Sequence, residues 1–341
     1  MKLSQIGELS LLEQIRERFE EHSRHIIVSI GDDAAVLKPV GKNLLLTADM
    51  MVEGVHFDLN FITPYQLGFK LISVNVSDIY AMGGKPRFLL LNIAMSKNTE
   101  KEVFDQFLDG VHEAMKLYTV SLVGGDLSAS NKGMTLSATL IGYAKRYIKR
   151  SGAKIGNRIY VTGNLGDSAC GLELLKKIRR SIPLHGKHSA GKFEIRNSKF
   201  EIKKWGLSWN DVEPLLRRHL LPKARDPKEF VRNATSMIDI SDGLLIDLSR
   251  LCDESKVGAR IYIKNIPMSS ELKKTTSYLG IPPIKLALSG GEDYELLFTA
   301  PAEKKVKAIY IGDITESERV IVDISGREKT FSAEGYQHFD V

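Results

Sequence analysis

Six apolar runs in this 341-residue chain lead into carboxylates. Residues 26–30 run into Gly31-Asp32-Asp33, 44–48 into Asp49, and 72–77 into Asp78. Residues 120–123 run into Gly124-Gly125-Asp126, 236–238 into Asp239-Ile240-Ser241-Asp242, and 286–289 into Gly290-Gly291-Glu292-Asp293. A strand end holds a side chain more rigidly than a free loop does, so strands ending this way are expected to build one acidic cluster on a fixed edge. Carboxylates gathered there repel one another unless a cation lies among them. Hard oxygen donors suit Mg²⁺, which takes one or two carboxylates per ion and completes its shell with water and substrate phosphate. Aspartate is also a favoured helix N-cap, which accounts as readily for Asp78 before a helix starting near Ile79 and for Asp242 before one starting near Gly243. Asp33, Asp126 and Asp239, set among glycines or further strand residues, read less well as caps.

The elements that must position these groups follow from periodicity. Leu11, Leu12, Ile15 and Phe19 mark a first helix over about residues 10–21. Strands near 26–30, 44–48, 88–94 and 134–144 alternate with helices near 64–82 and 99–117, an order that belongs to α/β or α+β folds. Residues 72–77 carry two signals. The run is strand-like, but Leu67, Leu71 and Val74 keep a helical spacing that would present Asp78 from a helix ending at Gly83-Gly84-Lys85-Pro86. The length exceeds a usual single core, and the polar stretch 147–157 with Gly152 and Gly156 places a junction, giving expected domains 1–148 and 149–341. The second opens at Arg158-Ile159-Tyr160-Val161-Thr162. It continues through Gly163-Asn164-Leu165-Gly166-Asp167-Ser168, a turn of the kind that presents backbone N–H groups to phosphate at a helix N-terminus.

Composition removes several function classes. Hydrophobic content of 43% and charged content of 26% are those of a globular protein. No apolar run approaches the roughly 18 residues of a membrane span. Glu8, Glu13, Glu17, Glu20 and Glu21, on a helical pattern at the N-terminus, are unlike a signal peptide, so the expected compartment is the cytoplasm and no membrane partner is expected. Two cysteines, Cys170 and Cys252, exclude a disulfide framework and a cysteine-rich zinc site. Neither a Walker-type loop nor any G-x-G occurs, and the kinase His-Arg-Asp loop is missing. His22/His25 and His185/His188 have no nearby third ligand and read as solvated surface. His56, in Glu53-Gly54-Val55-His56-Phe57, is either a satisfied core histidine or a substrate-binding one. The net charge of +6 is local: residues 176–204 hold ten Lys or Arg against two Glu, which leaves the rest of the chain at −2. That segment, with its echo Lys192-Phe193-Glu194-Ile195 and Lys199-Phe200-Glu201-Ile202, reads as an inserted surface loop rather than a nucleic-acid contact.

Taken in order, Ile30-Gly31-Asp32-Asp33-Ala34-Ala35, Asp49 with Glu53-Gly54-Val55-His56-Phe57, Ser73 to Asp78, Gly124-Gly125-Asp126, Asp239-Ile240-Ser241-Asp242-Gly243-Leu244 and Gly290-Gly291-Glu292-Asp293-Tyr294-Glu295-Leu296 resemble the thiamine-monophosphate kinase family. That family belongs to an ATP-binding superfamily with aminoimidazole ribonucleotide synthetase, selenophosphate synthetase and a hydrogenase maturation factor. The match runs from the first helix to Tyr336-Gln337-His338-Phe339, with residues 178–206 outside it.

The resemblance implies an α/β (α+β), two-domain aminoimidazole ribonucleotide synthetase-like fold. Its N-terminal mixed sheet with helices would serve ATP, Mg²⁺ and homodimerisation through the N-terminal strands, beside a C-terminal α/β sandwich domain, with the site in the cleft between them. The implied reaction transfers the ATP γ-phosphoryl group to thiamine monophosphate. Implied Mg²⁺ ligands are Asp33, Thr47, Asp49, Asp78, Asp126, Asp239 and Asp242, whose six aspartates form the catalytic set. Implied ATP contacts are Thr47, Gly125, Asp126, Arg150 and Ser241, while His56, Glu292 and Tyr336 are implied for thiamine phosphate, where a ring can stack on the cationic heterocycle. The chain departs from the pattern at Ala48, where a second hydroxyl is expected, and at Leu108, where a nucleotide-contacting tyrosine is expected. Both reactants are polyanions and the acceptor phosphate is already ionised near neutral pH. Cations and positioning should therefore outweigh a general base. Two alternatives are another superfamily enzyme with a different acceptor, and a nucleotide-binding protein without turnover. The His56 and Glu292 motifs, with no N-terminal catalytic Cys or Sec region, disfavour the first, and the intact carboxylates disfavour the second.

Overall fold

The computed structural model describes residues 1–6, 8–19, 24–28, 35–39, 43–184 and 202–336 of the chain. The chain divides into two compact units: Met1–Ile79 with Gly84–Arg146 and Arg180–Pro183, and Tyr80–Gly83 with Tyr147–Arg179 and Leu184–Val341.

The first unit opens with helices α1 (Leu3–Ile6) and α2 (Glu8–Phe19) and a small ribbon of β1 (Ile26–Val28) against β2 (Val36–Leu37). Asp33 lies outside the described residues. A four-stranded sheet follows, in the order β3 (Asn43–Val52), β6 (Thr135–Ala144), β4 (Lys85–Met95), β5 (Ser121–Ala129). Only β4 and β5 run parallel, joined through α4 (Lys101–Tyr118), which makes the sheet mixed. Helix α3 (Pro64–Ala81) starts at a capping box: the Thr63 N–H donates to Gln66 Oε1 at 2.9 Å and the Gln66 N–H to Thr63 Oγ1 at 3.3 Å. Helices α3 and α4 pack backbone to backbone. A Cβ on Gly110 would lie 1.8 Å from the Tyr65 carbonyl oxygen, so only glycine allows that approach.

Residues 72–77 are helical, correcting the strand reading. Their β propensity yields because helical spacing buries Leu67, Leu71, Ile72 and Val76 completely. Asp78 is thus inside a helix and caps nothing. Asp49 and Asp126 do not end strands either. β3 continues to Val52 because Met50 and Val52 keep pairing with Ser137 and Thr135, and β5 continues beside β4 to Ala129. Residues 286–289 also form helix, within Pro283–Ser289, where proline sits in the first turn.

The second unit is built on a seven-stranded sheet in the order β13-β12-β9-β11-β7-β10-β8. Its strands are β7 (Asn157–Val161), β8 (Ser236–Asp239), β9 (Gly258–Tyr262), β10 (Leu296–Pro301), β11 (Ile309–Thr315), β12 (Arg319–Val322) and β13 (Glu328–Thr330). Alternate residues enter separate cores. Ile159, Val161, Ile238 and Leu297 join one that includes the helix Leu244–Ser255, while Tyr160, Met237, Phe298 and Phe230 join the other. There Phe230 stacks on Phe298 at 4.3 Å and Phe298 on Tyr160 at 5.4 Å. Helix α5 (Asp167–Ile178) packs against the helix Trp209–Leu220, where Gly171 permits close approach to Leu215.

The ends of the charged insert differ from the solvent-exposed excursion expected over 178–206. Ile178, Ile182, Leu184 and Ile202 are buried, and the buried Gln66 amide donates to the Ile182 carbonyl at 2.7 Å. Trp205 stacks on Tyr278 at 5.4 Å. Residues 185–201, with His185 and His188, lie outside the described residues. No described helix is long and apolar enough to cross a membrane.

Candidate active site

In β3 the alternation of side chains separates two sets. Leu45, Thr47, Asp49 and Met51 face one way, and Leu44, Leu46, Ala48 and Met50 stand exposed on the other face. The first face meets α3. Thr47 Oγ1 donates to Asp78 Oδ2 at 2.5 Å, and the Asp49 N–H donates to Asn75 Oδ1 at 3.2 Å. The Asn75 amide is held in turn by the Leu71 carbonyl at 2.9 Å. Thr47, Asp49 and Asp78 therefore form one oxygen-rich patch on rigid elements.

Asp126 is not part of it. Its row across the sheet runs Met50, Ser137, Asn92, Asp126, whereas the row of Asp49 runs Ala138, Leu91, Gly125. Asp126 thus projects from the opposite, exposed face, three strand spacings or about 14 Å from β3. Gly125 is required by packing: at φ 153°, a Cβ would lie 1.9 Å from the Leu91 carbonyl oxygen. Ala48 shares Asp126's face, so its missing hydroxyl takes nothing from the Thr47 patch. Leu108 is 2% exposed in α4 and serves the core. His56 accepts from the Val52 N–H at its Nδ1, 3.0 Å away, so the ring proton sits on Nε2.

The second unit gathers the other residues. Buried Asp239 ends β8, and the chain passes through Ser241 and Asp242 into the helix Leu244–Ser255. Asp242 does not cap that helix. Asp247 accepts from the N–H groups of Ser241, Asp242 and Gly243 at 3.1, 3.1 and 3.2 Å, and Arg250 Nη1 bridges Asp247 Oδ1 at 2.7 Å and Asp242 Oδ2 at 2.6 Å. Burial, then the adjacent Asp242, pushes the Asp247 carboxyl up to about 6 despite those donors. Glu292 and Tyr336 are brought to the same turn, their N–H groups donating to the Ser241 and Asp242 carbonyls at 2.7 and 3.1 Å. Arg150 is exposed; its carbonyl accepts from Ser255 Oγ at 2.9 Å, and the adjacent Lys149 carbonyl accepts from the Met237 N–H of β8 at 3.0 Å.

Among the described residues no group of three or more His, Cys, Asp or Glu side chains could hold a metal ion. Of the described aspartates, Asp49 and Asp78 lie on one face of the first unit's sheet and Asp126 on the other, while Asp239 and Asp242 belong to the second unit. Asp49, Asp78 and the Thr47 hydroxyl nonetheless supply hard oxygens in the number a protein usually offers Mg²⁺, so this donor set fits that ion.

Sequence reading missed a buried network behind this turn. Glu295, fully buried, accepts from Arg218, from Arg225 Nε and Nη2 at 2.7 and 2.9 Å, and from Thr162 Oγ1 at 2.5 Å. Burial works to raise its carboxyl, but Arg218, Arg225 and Thr162 outweigh it and hold Glu295 below its ordinary value. Asp293 accepts from the N–H groups of Gly166 and Ser168 at 2.6 and 3.1 Å. These are amides of the glycine-framed turn expected to cradle phosphate, so a carboxylate of the chain itself occupies that place.

Burial pushes the Asp293 carboxyl up to about 7, against Arg218 and the two amides. Between its ordinary value of 3.8 and about 7 the folded chain keeps a proton that the unfolded chain has released. The stability this group contributes is therefore complete below about pH 4 and is lost as pH rises to about 7. Asp293→Asn should flatten that part of the stability profile, checked by urea midpoints at pH 5 and pH 8. An unchanged slope in the variant would contradict the assignment.

Residues 31–144 match the AIR synthase related protein N-terminal domain, and residues 154–324 its C-terminal domain. Thiamine-monophosphate kinase of Aquifex aeolicus (strain VF5) is 37% identical over 344 residues, covering 99% of this chain and 100% of that one. That of Escherichia coli (strain K12) is 32% identical over 348 residues, covering 98% of each. A solved structure of AaThiL complexed with AMPPCP and TMP matches with a TM-score of 0.73 at 34% identity, covering 99% of both chains. Hydrogenase maturation protein HypE, 17% identical with a TM-score of 0.66, shares the fold. The chain belongs to the AIR synthase related family, and within it to the thiamine-monophosphate kinases.

Proposed function

We propose that this protein transfers the γ-phosphoryl group of ATP to the phosphate of thiamine monophosphate, releasing ADP and thiamine diphosphate. The observation that carries the reading is the end-to-end match to AaThiL complexed with AMPPCP, an ATP analogue, and TMP. The geometry supports it: Thr47, Asp49 and Asp78 lie together on rigid elements, and Ser241, Asp242, Glu292 and Tyr336 share one turn.

Asp49, Asp78 and Thr47 would hold one Mg²⁺ ion, and Asp33, Asp126, Asp239 and Asp242 would serve further Mg²⁺ ions. When bound, the ion neutralises phosphate charge and aligns the oxygens for in-line displacement. Arg150, Ser241 and the Gly125 backbone would bind ATP phosphates. The His56 Nε2–H would donate to the acceptor phosphate, while Glu292 and the Tyr336 ring would meet the cationic heterocycle. With ATP as co-substrate, the activity belongs in the cytoplasm. The test is the purified protein with ATP, Mg²⁺ and thiamine monophosphate, followed by chromatography of the products. Absence of thiamine diphosphate would sink the reading.

We also propose a homodimer through the exposed face of β3, where Leu44, Leu46 and Met50 are 56%, 65% and 55% exposed. A strip of large apolar side chains on an edge strand is costly in water and is a usual interface signature. Asp126 stands on that face, so it would act beside the second copy. Leu46→Asp should convert the dimer to monomer at micromolar concentration, read by sedimentation velocity. A wild-type chain that sediments as a monomer would refute the dimer.

A further inference from the structure

Glu292 adopts φ 64° and Tyr294 φ 49°, a left-handed backbone that residues with a β-carbon rarely take. Such strain persists where the surroundings over-determine it. Here the Glu292 and Tyr294 N–H groups donate to the Ser241 and Ile240 carbonyls at 2.7 and 2.9 Å. Gly291 leaves no slack, since a Cβ there would lie 2.6 Å from the Ser241 carbonyl oxygen.

The side chain of Glu292 is also met. His219, 8% exposed in the last turn of the helix Trp209–Leu220, places Nδ1 3.1 Å from Glu292 Oε2. The same nitrogen lies 3.2 Å from the Oγ of fully buried Ser168. Serine, histidine and glutamate in contact suggest a hydrolytic triad, but a triad uses one ring nitrogen for the serine and the other for the carboxylate. Both contacts here fall on Nδ1, and the serine is inaccessible, so no nucleophile is being activated. A carboxylate only accepts, which puts the proton on Nδ1 and makes His219 the donor to Glu292. His219 is itself fixed, its Cβ packed where Gly171 leaves room on α5.

We propose that His219 is a positioning residue for the acceptor: its Nδ1–H holds the Glu292 carboxylate in one orientation toward the cationic heterocycle of thiamine monophosphate. It touches no substrate. The proposal rests on the reading of Glu292 as an acceptor contact. A freely rotating glutamate must be ordered each time ligand binds, whereas one held in advance lost that freedom on folding. His219 therefore acts on acceptor affinity, leaving the ATP side alone.

The experiment compares His219→Ala, His219→Asn, Glu292→Ala and the His219→Ala/Glu292→Ala double variant. It reads the KM for each substrate, kcat, and thiamine monophosphate affinity by calorimetry without ATP. His219→Ala should raise the acceptor KM and Kd about tenfold, with the ATP KM within about twofold. His219→Asn, whose amide nitrogen can occupy the place of Nδ1, should recover most of that loss. The double variant should bind acceptor no worse than Glu292→Ala alone. If Glu292→Ala weakens acceptor binding and His219→Ala does not, the positioning role is overturned and the Glu292 reading stands. Should Glu292→Ala leave acceptor binding unchanged, both fall. Equal losses toward ATP and acceptor, or failure of a His219→Asn protein that melts like wild type to recover affinity, would show a purely structural histidine and end the proposal.

Discussion

Asp78→Asn is expected to reduce phosphoryl transfer by about a thousandfold or more while the protein stays folded. The side chain belongs to α3, whose placement depends on its buried apolar face and on the capping box at Thr63, neither of which the substitution touches. Thr47 Oγ1 can still donate to an amide oxygen where it now donates to Asp78 Oδ2. What disappears is a formal charge from the Thr47–Asp49–Asp78 patch. A neutral amide is a much poorer partner for Mg²⁺, and charge stabilisation at a transferring phosphoryl group amounts to several kcal/mol, hence the size of the effect. Loss of one of two neighbouring carboxylates also relieves repulsion in the metal-free protein, so thermal stability without Mg²⁺ should be unchanged or slightly higher. Asp49→Asn should behave alike. A melting scan beside a steady-state assay decides the matter, and wild-type turnover in either variant would remove these residues from the metal site.

The helix that carries Asp78 was legible in the sequence, whereas Thr47 came from the family resemblance. Leu67, Leu71 and Val74 kept helical spacing through a β-branched run, and that periodicity correctly placed Asp78 on a helix. Where a strand ends was less legible. β3 and β5 run past Asp49 and Asp126 because strand length is set by the partners β6 and β4, not by the residues that interrupt the apolar run. This error had a consequence for chemistry: only the pairing register reveals that Asp126 and Asp49 project from opposite faces. Motif order also suggested a phosphate cradle at Gly163 to Ser168, while Asp293, more than 120 residues later in the chain, fills it. Arg218, His219, Arg225 and Glu295 were invisible for the same reason. Arg217, Arg218, His219, Lys223, Arg225 and Asp226 together read as ordinary surface charge, and only long-range packing brings Arg218 and Arg225 to Glu295. A fully buried Glu is rare enough that the apolar run starting at Leu296, directly after Glu295, was the one available hint.

Glu295→Ala is expected to destabilise the protein by about 3–5 kcal/mol, the usual cost of removing one partner from a buried ion pair. Glu295 has no exposure, and its two oxygens receive both arginines and Thr162. Truncation leaves Arg218, itself largely buried, with Asp293 and Asp167 as its remaining charged neighbours, and leaves Thr162 Oγ1 without its acceptor. Reduction in size cannot be absorbed by collapse at this position. Gly163 approaches so closely that its Cβ would lie 2.4 Å from Glu295 Oε1, and the backbone of Ile240 is tied to the Glu295 carbonyl at 2.8 Å. Desolvation is the adverse part of the pair, so Arg218→Met/Glu295→Met should recover much of the loss by removing both charges together. The pH dependence has a defined sign. The folded Glu295 carboxyl lies below its ordinary value of 4.5, so its contribution is present above that pH and is lost as pH falls through the lower folded value. The deficit of Glu295→Ala relative to wild type should therefore be largest near neutrality and shrink on acidification below about pH 4. Urea denaturation at pH 7 and at pH 3.5 measures both values, and a deficit under about 1 kcal/mol at pH 7 would show that the two arginines find other partners. Because the network backs the left-handed segment from Glu292 to Tyr294, the same variant should also bind thiamine monophosphate more weakly, a loss that extra ATP would not restore.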